Sequence, residues 1–285
     1  MAGLRRTRLP LVCLAALLLA SAGDVGCGAH SGELLPAAPV PAPPPREVSV
    51  WEAAREDVHD GVLNVLTQRE PELRHGLRRW PVSHGSRRRR EIALTFDDGP
   101  HPEFTPKLLS LLRQQNVKAT LFLVGEMAEK RPDLVKEALA DGHCLGNHTY
   151  HHARLVGLPL GTTATEIKAG GMVLRDITGQ APRWLRPPGG DTDARTLIVA
   201  RALGYRVVLW DVFPADSRKP GHRQIRERML NDSGPGSIVL LHDGIQQTLD
   251  VLPEVIAKLK ARGYRFVTLD EMLQPQAADA QQPGR

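Results

Sequence analysis

From residue 91 onward, short apolar runs alternate with longer segments whose apolar residues recur at helical spacing. The first run, residues 92–96, suits a buried strand, and Gly99-Pro100 breaks it after two adjacent aspartates. Six similar runs follow, and segments with helical periodicity separate them. The pattern therefore predicts seven strands, the later six over residues 119–124, 143–147, 183–186, 206–211, 237–242 and 265–269.

Residues typical of helix ends place the intervening helices. Thr105-Pro106 predicts the beginning of one helix, and Pro132 predicts the beginning of another. Thr163 with Glu166 fits a capping box at the beginning of a third. The chain then has further helical periodicity over residues 193–203, 222–230 and 247–261.

Strands that all run in one direction, with helices between them, form a parallel sheet covered by helices. The pattern predicts a sheet closed, or nearly closed, into a barrel, and a doubly wound open sheet is the competing topology. No glycine-rich phosphate loop follows the first strand, which argues against nucleotide binding as the purpose of either fold.

Ahead of these units lies a segment with helical spacing and a basic run. The spacing predicts a helix over about residues 49–69, a break at Pro71 and a second short helix to Arg79. The four arginines of residues 87–90 follow. A solvated linker is the favoured interpretation, and contact with anionic wall polymer, lipid headgroups or RNA is the alternative.

The first 46 residues have the features of an export signal and a tether. Residues 1–26 contain three early arginines, an apolar run over 9–19 and small residues suited to cleavage. Lipoprotein processing at Cys27 is the alternative to a cleaved signal. Residues 27–46 are rich in proline and suit a semi-rigid spacer. We therefore expect an exported protein of the periplasm, cell envelope or extracellular space. In the lipoprotein alternative, the lipid at Cys27 would be its one contact with a membrane.

Composition limits the class of protein. At 285 residues, 41% of them hydrophobic, the chain can build one sizeable core. Its formal charge of +5 becomes +3 without residues 1–26, which contain three arginines and one aspartate, and this argues against a dedicated nucleic-acid binder. Beyond the signal only Cys27 and Cys144 remain, too few for a disulfide framework, and Cys144 is expected to be a small core residue. We expect a monomer.

Polar residues gather where the predicted strands end. The carboxyl ends of parallel strands in a barrel lie on one face, where catalytic groups collect. The adjacent carboxylates after the first strand need a compensating cation or metal, since close like charges raise one pKa. The residues that follow or end these strands are Asp97, Asp98, His148, His152, Arg186, Asp211, Asp216 and His242.

The histidines suggest a metal site. His148 and His152 are four residues apart, so on a helical turn their imidazoles would point the same way. Asp98 can supply an oxygen ligand, and two histidines with one carboxylate suit a divalent transition metal such as zinc better than calcium or magnesium. His151 lies between them and is expected to project elsewhere.

Five motifs in order, TFDDGP, HTYHH, RPPGG, WDVFPAD and LLHDG, resemble those of the metal-dependent polysaccharide deacetylases, the NodB-like carbohydrate esterases of family 4. The resemblance implies a distorted, incomplete (β/α) barrel of about seven parallel strands, here with an N-terminal helical extension. It also implies a divalent metal, with zinc expected and cobalt, nickel or iron as alternatives. The predicted organisation is a signal (1–26), a proline-rich linker (27–46), a helical extension with basic linker (47–90), a catalytic domain (91–273) and a disordered tail (274–285).

The resemblance implies four catalytic residues. Asp97 would be the general base that activates water, and Arg186 would pair with it and orient it. His242 would be the general acid that protonates the leaving amine, and Asp216 would orient His242. These roles agree with the chemistry, because an amine leaves poorly until it is protonated.

The resemblance also implies the ligands and the oxyanion site. Asp98, His148 and His152 would bind the metal, which would polarise the amide carbonyl and lower the pKa of its water. The backbone N–H of Gly189 would help to stabilise the oxyanion.

This chain departs from the family pattern on the substrate side. The family usually has an aromatic residue at the position of Gly189, often Asp at that of Phe213 and commonly Trp at that of Ser217. The leading hypothesis is an exported deacetylase acting on N-acetyl or O-acetyl groups of peptidoglycan, a chitin-like oligomer or an exopolysaccharide. The alternatives are a tethered carbohydrate-binding pseudoenzyme and a hydrolase of a non-sugar amide or formyl group.

Overall fold

The computed structural model describes residues 48–74 and 81–274. The predicted signal, the proline-rich linker, most of the second short helix to Arg79 and the tail beyond residue 274 lie outside the described residues, so those interpretations remain predictions.

Within the described residues the strands are seven, as predicted. In chain order they are β1 Glu91–Gly99, β2 Thr120–Leu123, β3 Cys144–Asn147, β4 Trp184–Leu185, β5 Arg206–Val207, β6 Ser237–His242 and β7 Arg265–Phe266. The helices of the same residues are α1 Val50–Asp57, α2 Leu63–Arg74, α3 Phe104–Gln114, α4 Gly125–Lys130, α5 Pro132–Ala140, α6 Leu160–Thr178, α7 Ala194–Ala202, α8 His222–Asp232, α9 Gln246–Ala261 and α10 Leu269–Leu273. None of these helices combines the length and the apolar character needed to cross a membrane.

All pairings between these strands are parallel, in the order β5-β4-β3-β2-β1-β6, and β7 also pairs with β1. The sheet does not close through a continuous ladder. A single bridge between Val212 and Val239 joins the chain after β5 to β6. The prediction of an incomplete barrel is confirmed, and the doubly wound alternative is wrong.

Alternate residues of β1 face opposite sides of the sheet, as the strand period requires. Ile92, Leu94 and Phe96 are buried in the main core cluster with the leucines of α3 and the apolar face of α9. Ala93 belongs to a second cluster inside the barrel, with Phe122 and other buried residues. Thr95 and Asp97 are two and four residues after Ala93, so they lie on the same face of the strand. The predicted catalytic residue Asp97 therefore faces the barrel interior.

β5 and β7 are shorter than predicted because the chain leaves the ladder early. After β5, Leu209 donates its backbone N–H to Val82, and Val82 also forms a parallel bridge with Val208. After β7, Thr268 caps α10 instead of continuing the strand. The helix α4 was not predicted, because it is a single short element directly after β2.

Two predicted helix caps are wrong. α3 begins at Phe104, so Thr105 lies inside it, and the Thr105 hydroxyl donates to Asp243. α6 begins at Leu160, and Glu166 is buried in its interior instead of forming a capping box. Both side chains bond to groups distant in the sequence, which local cap patterns do not anticipate.

The N-terminal extension is helical, as predicted, and begins with a capping box between Ser49 and Glu52. A π-helical segment, Val58–Val62, joins α1 to α2. The predicted break at Pro71 is wrong, because α2 continues through it to Arg74. A proline lacks a backbone N–H, so Pro71 removes one hydrogen bond of α2 and leaves the others in place.

The basic run is largely exposed, as in a solvated linker, but it is also attached to the folded domain. Arg87 donates to the carboxylate of Asp211 over 2.8 Å. Arg89 donates to the backbone carbonyl of Met272. The residues immediately before β1 therefore pack against the domain that begins with β1.

Cys144 is a buried free thiol in β3, in agreement with the sequence prediction. Burial raises the pKa of the Cys144 thiol, and the nearby Asp270 carboxylate adds to the effect. A protonated, buried thiol is a poor nucleophile. Cys144 therefore has a packing role.

Candidate active site

A cavity of about 390 Å³ opens at the carboxyl ends of the strands. It is lined by six of the eight residues to which the sequence assigns roles: Asp97, Asp98, His148, His152, Gly189 and His242. The other two, Arg186 and Asp216, are fully buried and bond to lining residues. Strand register explains the convergence, because Asp97 of β1 pairs with His242 of β6.

Asp98 and two histidines form a compact cluster in the cavity. Asp98 Oδ1 lies 3.4 Å from His148 Nε2 and 3.1 Å from His152 Nε2. One candidate ligand atom from each residue lies within 4.8 Å of the other two. These distances allow the three side chains to share one ion.

The backbone of this cluster is a loop, so the helical turn assumed from the spacing is wrong. Thr149 and His152 have φ values of 66° and 59°, and Asp98 has φ of 71°. Non-glycine residues adopt such values rarely, and often at functional sites. The histidines therefore converge through a sharp turn after β3 and not through helical periodicity.

The hydrogen bonding of His148 fixes which ring nitrogen faces the cluster. His148 Nδ1 lies 2.6 Å from the backbone carbonyl oxygen of Arg186, which can only accept. The Nδ1–H therefore donates, and Nε2 is the ring nitrogen left to face Asp98 or a metal. Burial by itself raises the pKa of Asp98, but hydrogen bonds from His148 and His152 outweigh it and hold that pKa well below its ordinary value. Two imidazole nitrogens and one carboxylate oxygen fit a divalent transition metal.

Asp97 is held by a buried guanidinium. Arg186 Nη1 donates to Asp97 Oδ1 over 2.8 Å and to Thr95 Oγ1 over 2.7 Å. Its other nitrogens donate to the backbone carbonyls of Val208 and Leu209. Only Asp97 Oδ2 is left to face the cluster, 3.8 Å from His148 Nε2.

His242 has an equally specific partner. Its Nδ1 lies 2.8 Å from Asp216 Oδ1, and its backbone N–H donates to Asp216 Oδ2 over 2.8 Å. Thr248 and Ser217 also donate to this buried carboxylate. Burial lowers the pKa of His242, but the bond to Asp216 and the negative charges of Asp216, Asp97 and Asp98 together raise it more, so the net pKa lies above the ordinary value. The arrangement favours an imidazolium whose Nε2–H is available as a proton donor.

Gly189 lies in a tight turn, Pro188–Gly190, that borders the cavity. Its φ of 73° is in the region that favours glycine. Asp211, which the sequence placed on the same face, lies elsewhere: it accepts from Arg87, from the Ser237 hydroxyl and from the Ile238 backbone N–H. Those contacts lie at the beginning of β6, away from the cavity.

Sequence reasoning missed two buried carboxylates that support the site. Glu166 accepts the backbone N–H groups of Tyr150 and His151 over 3.1 and 3.0 Å, so it holds the loop that carries the histidine cluster. His151 also bonds to Glu166 through its ring, outside the cluster, as the sequence indicated. Asp243 bonds to Thr105, and burial raises its pKa. The position of Asp243 directly after His242 was the available signal.

The N-terminal extension packs behind the same loop. The Trp51 ring of α1 lies 4.6 Å from the His151 ring and 5.6 Å from the Tyr150 ring. Lys168 of α6 forms an ion pair with Asp57 at the end of α1. The extension is therefore in contact with the segment that presents the two histidines.

Known proteins with similar sequences include polysaccharide deacetylases. A family model described as polysaccharide deacetylase matches residues 84–208. A peptidoglycan-N-acetylglucosamine deacetylase of Bacillus cereus is 42% identical over 188 residues, which are 65% of this chain and 68% of that protein. A peptidoglycan-N-acetylmuramic acid deacetylase of Bacillus subtilis is 31% identical over 193 residues, covering 66% of this chain and 73% of that protein.

Solved structures agree in fold. The Bc1960 peptidoglycan N-acetylglucosamine deacetylase superposes with a TM-score of 0.66 at 39% identity, covering 68% of this chain and 93% of that one. A pseudoenzyme from Bacillus anthracis superposes with a TM-score of 0.65 at 26% identity, covering 68% of this chain and 69% of that one.

Proposed function

The chain belongs to the polysaccharide deacetylase family of hydrolases, and on this premise we propose that it removes acetyl groups from N-acetylated sugars of peptidoglycan. The observation that supports turnover is the joint presence, around one cavity, of the Asp98–His148–His152 cluster, the Asp97–Arg186 pair and the His242–Asp216 pair. We also propose export to the cell envelope, in line with the peptidoglycan substrates for which the relatives are named.

A divalent transition metal, zinc with cobalt, nickel or iron as alternatives, would be held by Asp98, His148 and His152. When bound, it would supply Lewis-acid polarisation of the amide carbonyl and acidification of water. In this proposal residues 91–273 form the catalytic domain, and the protein works as a monomer.

Asp97 serves as the general base. Arg186 occupies its Oδ1 and fixes the plane of the carboxylate, so Oδ2 is the atom that accepts a proton from the attacking water. The N–H of Gly189 donates to the oxygen that becomes negative when the carbonyl is attacked.

His242 completes the cycle as the general acid. Asp216 binds its Nδ1–H, which leaves Nε2–H to be donated to the amine as the carbon–nitrogen bond breaks. An amine is a poor leaving group until it is protonated, so this donation is required for products to form.

The function is tested by acetate release from N-acetylglucosamine oligomers and from purified peptidoglycan, before and after removal of metal with a chelator. We expect release that stops on chelation and returns with added divalent metal. Absence of metal-dependent acetate release from either substrate would refute the proposal.

His148→Ala is expected to weaken binding of zinc by more than the 10–100-fold that is typical for loss of a supporting hydrogen-bond partner, because it removes one of three ligands. Competition with a colorimetric chelator measures this affinity directly, without substrate. His151→Ala is the matched control, since His151 lies in the same loop but bonds to Glu166. Equal losses in the two variants would contradict the ligand assignment.

Asp216→Asn is expected to shift the alkaline limb of the kcat profile to lower pH. The imidazolium of His242 is the donor, so activity persists below its pKa and falls as pH rises through it. The variant keeps the burial that lowers this pKa and removes the carboxylate that raises it. Thr248→Val removes one bond to Asp216 but keeps the carboxylate, so the alkaline limb of its kcat profile should move less. An unmoved limb in Asp216→Asn would rule out His242 as the acid.

A further inference from the structure

Arg154 places a positive charge at the mouth of the cavity that the proposed reaction does not use. It follows His152 by two residues, and its side chain lines the cavity. Within the part of the chain that the structure describes, it is the only arginine or lysine among the lining residues. Its side chain is 73% exposed, so a ligand in the cavity can reach it.

The glycine at position 189 makes room for this guanidinium. A Cβ built on Gly189 would lie 3.2 Å from Arg154 Nη2 and 3.3 Å from Cζ and Nε. Those are the nearest atoms to that side of the glycine, and such a contact is closer than ordinary van der Waals packing. The guanidinium therefore occupies the space above the turn that also presents the Gly189 N–H.

The Arg154 guanidinium makes few contacts with other polar groups of the described residues. Nη1 donates to Asp191 Oδ2 over 3.1 Å, and that carboxylate is itself 52% exposed. Among the described residues this is its one hydrogen bond, whereas Arg186 uses its guanidinium on four acceptors. Exposed ion pairs contribute little, so a second carboxylate can take the place of Asp191.

We propose that Arg154 is a specificity-determining residue that binds a carboxylate carried by the glycan beside the acetamido group to be cleaved. A guanidinium matches a carboxylate with two parallel hydrogen bonds, which gives both energy and orientation. The site then takes acidic N-acetylated glycans in preference to neutral ones. This inference rests on the proposed function and names the substrate class of the same cavity.

An alternative role for Arg154 and Asp191 is recognition of uncharged sugar hydroxyls. Arg154 and Asp191 together can donate to and accept from sugar hydroxyls, and in that case a carboxylate on the glycan brings no advantage. The two roles differ in what happens when the glycan charge alone is changed, so the experiment varies that charge on a constant backbone.

The test compares two substrates with the same sugar sequence. One is peptide-free peptidoglycan strands with free lactyl carboxylates, and the other is the same strands with those carboxylates converted to methyl amides. Acetate release gives kcat/KM for each, and the preference is the ratio of the acidic to the amidated substrate. The wild-type ratio is expected to exceed one and to fall as salt is raised, because added ions screen exposed charges.

In Arg154→Gln the preference is expected to fall about tenfold, the scale of one lost charge-assisted hydrogen-bonded contact, mainly through KM of the acidic substrate. Asp191→Asn removes the competing carboxylate and is expected to raise the preference. Arg154→Lys keeps the positive charge but lacks the two parallel donors of a guanidinium. Its preference should lie between those of the wild-type protein and Arg154→Gln. Arg175→Gln is the matched control, because Arg175 is an exposed arginine paired with Asp176 and does not line the cavity.

An unchanged preference in Arg154→Gln, or equal losses on both substrates, would overturn the inference and favour recognition of uncharged sugar hydroxyls. A fall of the preference in Asp191→Asn would also overturn it. These results are distinct from failure of the proposed function. That failure would appear as no acetate release by the wild-type protein from either strand or from neutral N-acetylglucosamine oligomers.

Discussion

Replacing Asp97 with asparagine is expected to lower kcat for acetate release by about 10²–10⁴-fold, the usual contribution of a general base. Asparagine keeps an oxygen that can accept the bond from Arg186 Nη1, so the local structure should survive. It cannot accept the proton of the attacking water. Steady-state acetate release from N-acetylglucosamine oligomers, at saturating substrate and with metal present, measures the effect.

The matched control for this variant is Asp211→Asn. Asp211 also follows a strand of the sheet, but its carboxylate bonds to Arg87 and Ser237 outside the cavity. We expect its kcat to stay close to that of the wild-type protein. If Asp97→Asn retained full turnover, the assignment of the base would be wrong. If neither the wild-type protein nor Asp97→Asn released acetate and both bound glycan equally, the chain would be a carbohydrate-binding pseudoenzyme.

Replacing Arg186 with methionine is expected to lower the free energy of unfolding by about 3–5 kcal/mol, the range found when one partner of a buried ion pair is removed. Arg186 has no exposed surface, and its loss would leave the buried Asp97 carboxylate without its cationic partner. The carbonyls of Val208 and Leu209 would also lose their donors. Urea unfolding followed by circular dichroism measures the change.

Two further variants separate this effect from a general cost of removing arginine. Arg175→Met changes an exposed arginine, and we expect a shift within about 0.5 kcal/mol. In Arg186→Met with Asp97→Asn, no charge is left unpaired, so the combined loss should be smaller than the sum of the single losses. A loss below about 1 kcal/mol in Arg186→Met would show that the pair adds little to stability.

The strands were predictable because their signal is local. Ile92, Leu94 and Phe96 form a compact apolar run, and β6 carries a similar run that ends at His242. Such runs specify a buried strand whatever they pair with. The ends of β5 and β7 were not predictable, because contacts with Val82 and the cap at Thr268 decide where those strands stop.

The helix caps show the opposite case. Thr105 and Glu166 match local cap patterns, but each bonds to a group that the fold brings from elsewhere, Asp243 and the Tyr150–His151 loop. A side chain that can reach a buried partner gains more from that bond than from capping an exposed helix end. Local patterns carry no information on that competition.

Some features of the candidate site could also be predicted from the sequence, and others could not. The order of the five motifs along the chain was enough to recognise the family, and the resemblance assigned roles to eight residues. Six of these residues line one cavity and the other two bond to them, because parallel strands end on one face. The sequence did not reveal how the histidines converge, since positive φ values at Asp98, Thr149 and His152 are set by the surrounding packing.

The sequence by itself determined the alternation of strands and helices and the chemical groups at the strand ends, because both are written in local periodicity and in neighbouring residues. Only the tertiary structure decided which charges face each other. Asp211 is bonded to Arg87 outside the cavity, although the sequence predicted it at the site. Arg154 lines the cavity next to Gly189, although the sequence assigned it no role. The physical reason is that pairing of charged groups depends on distance and burial in three dimensions, and separation along the chain does not fix either of them.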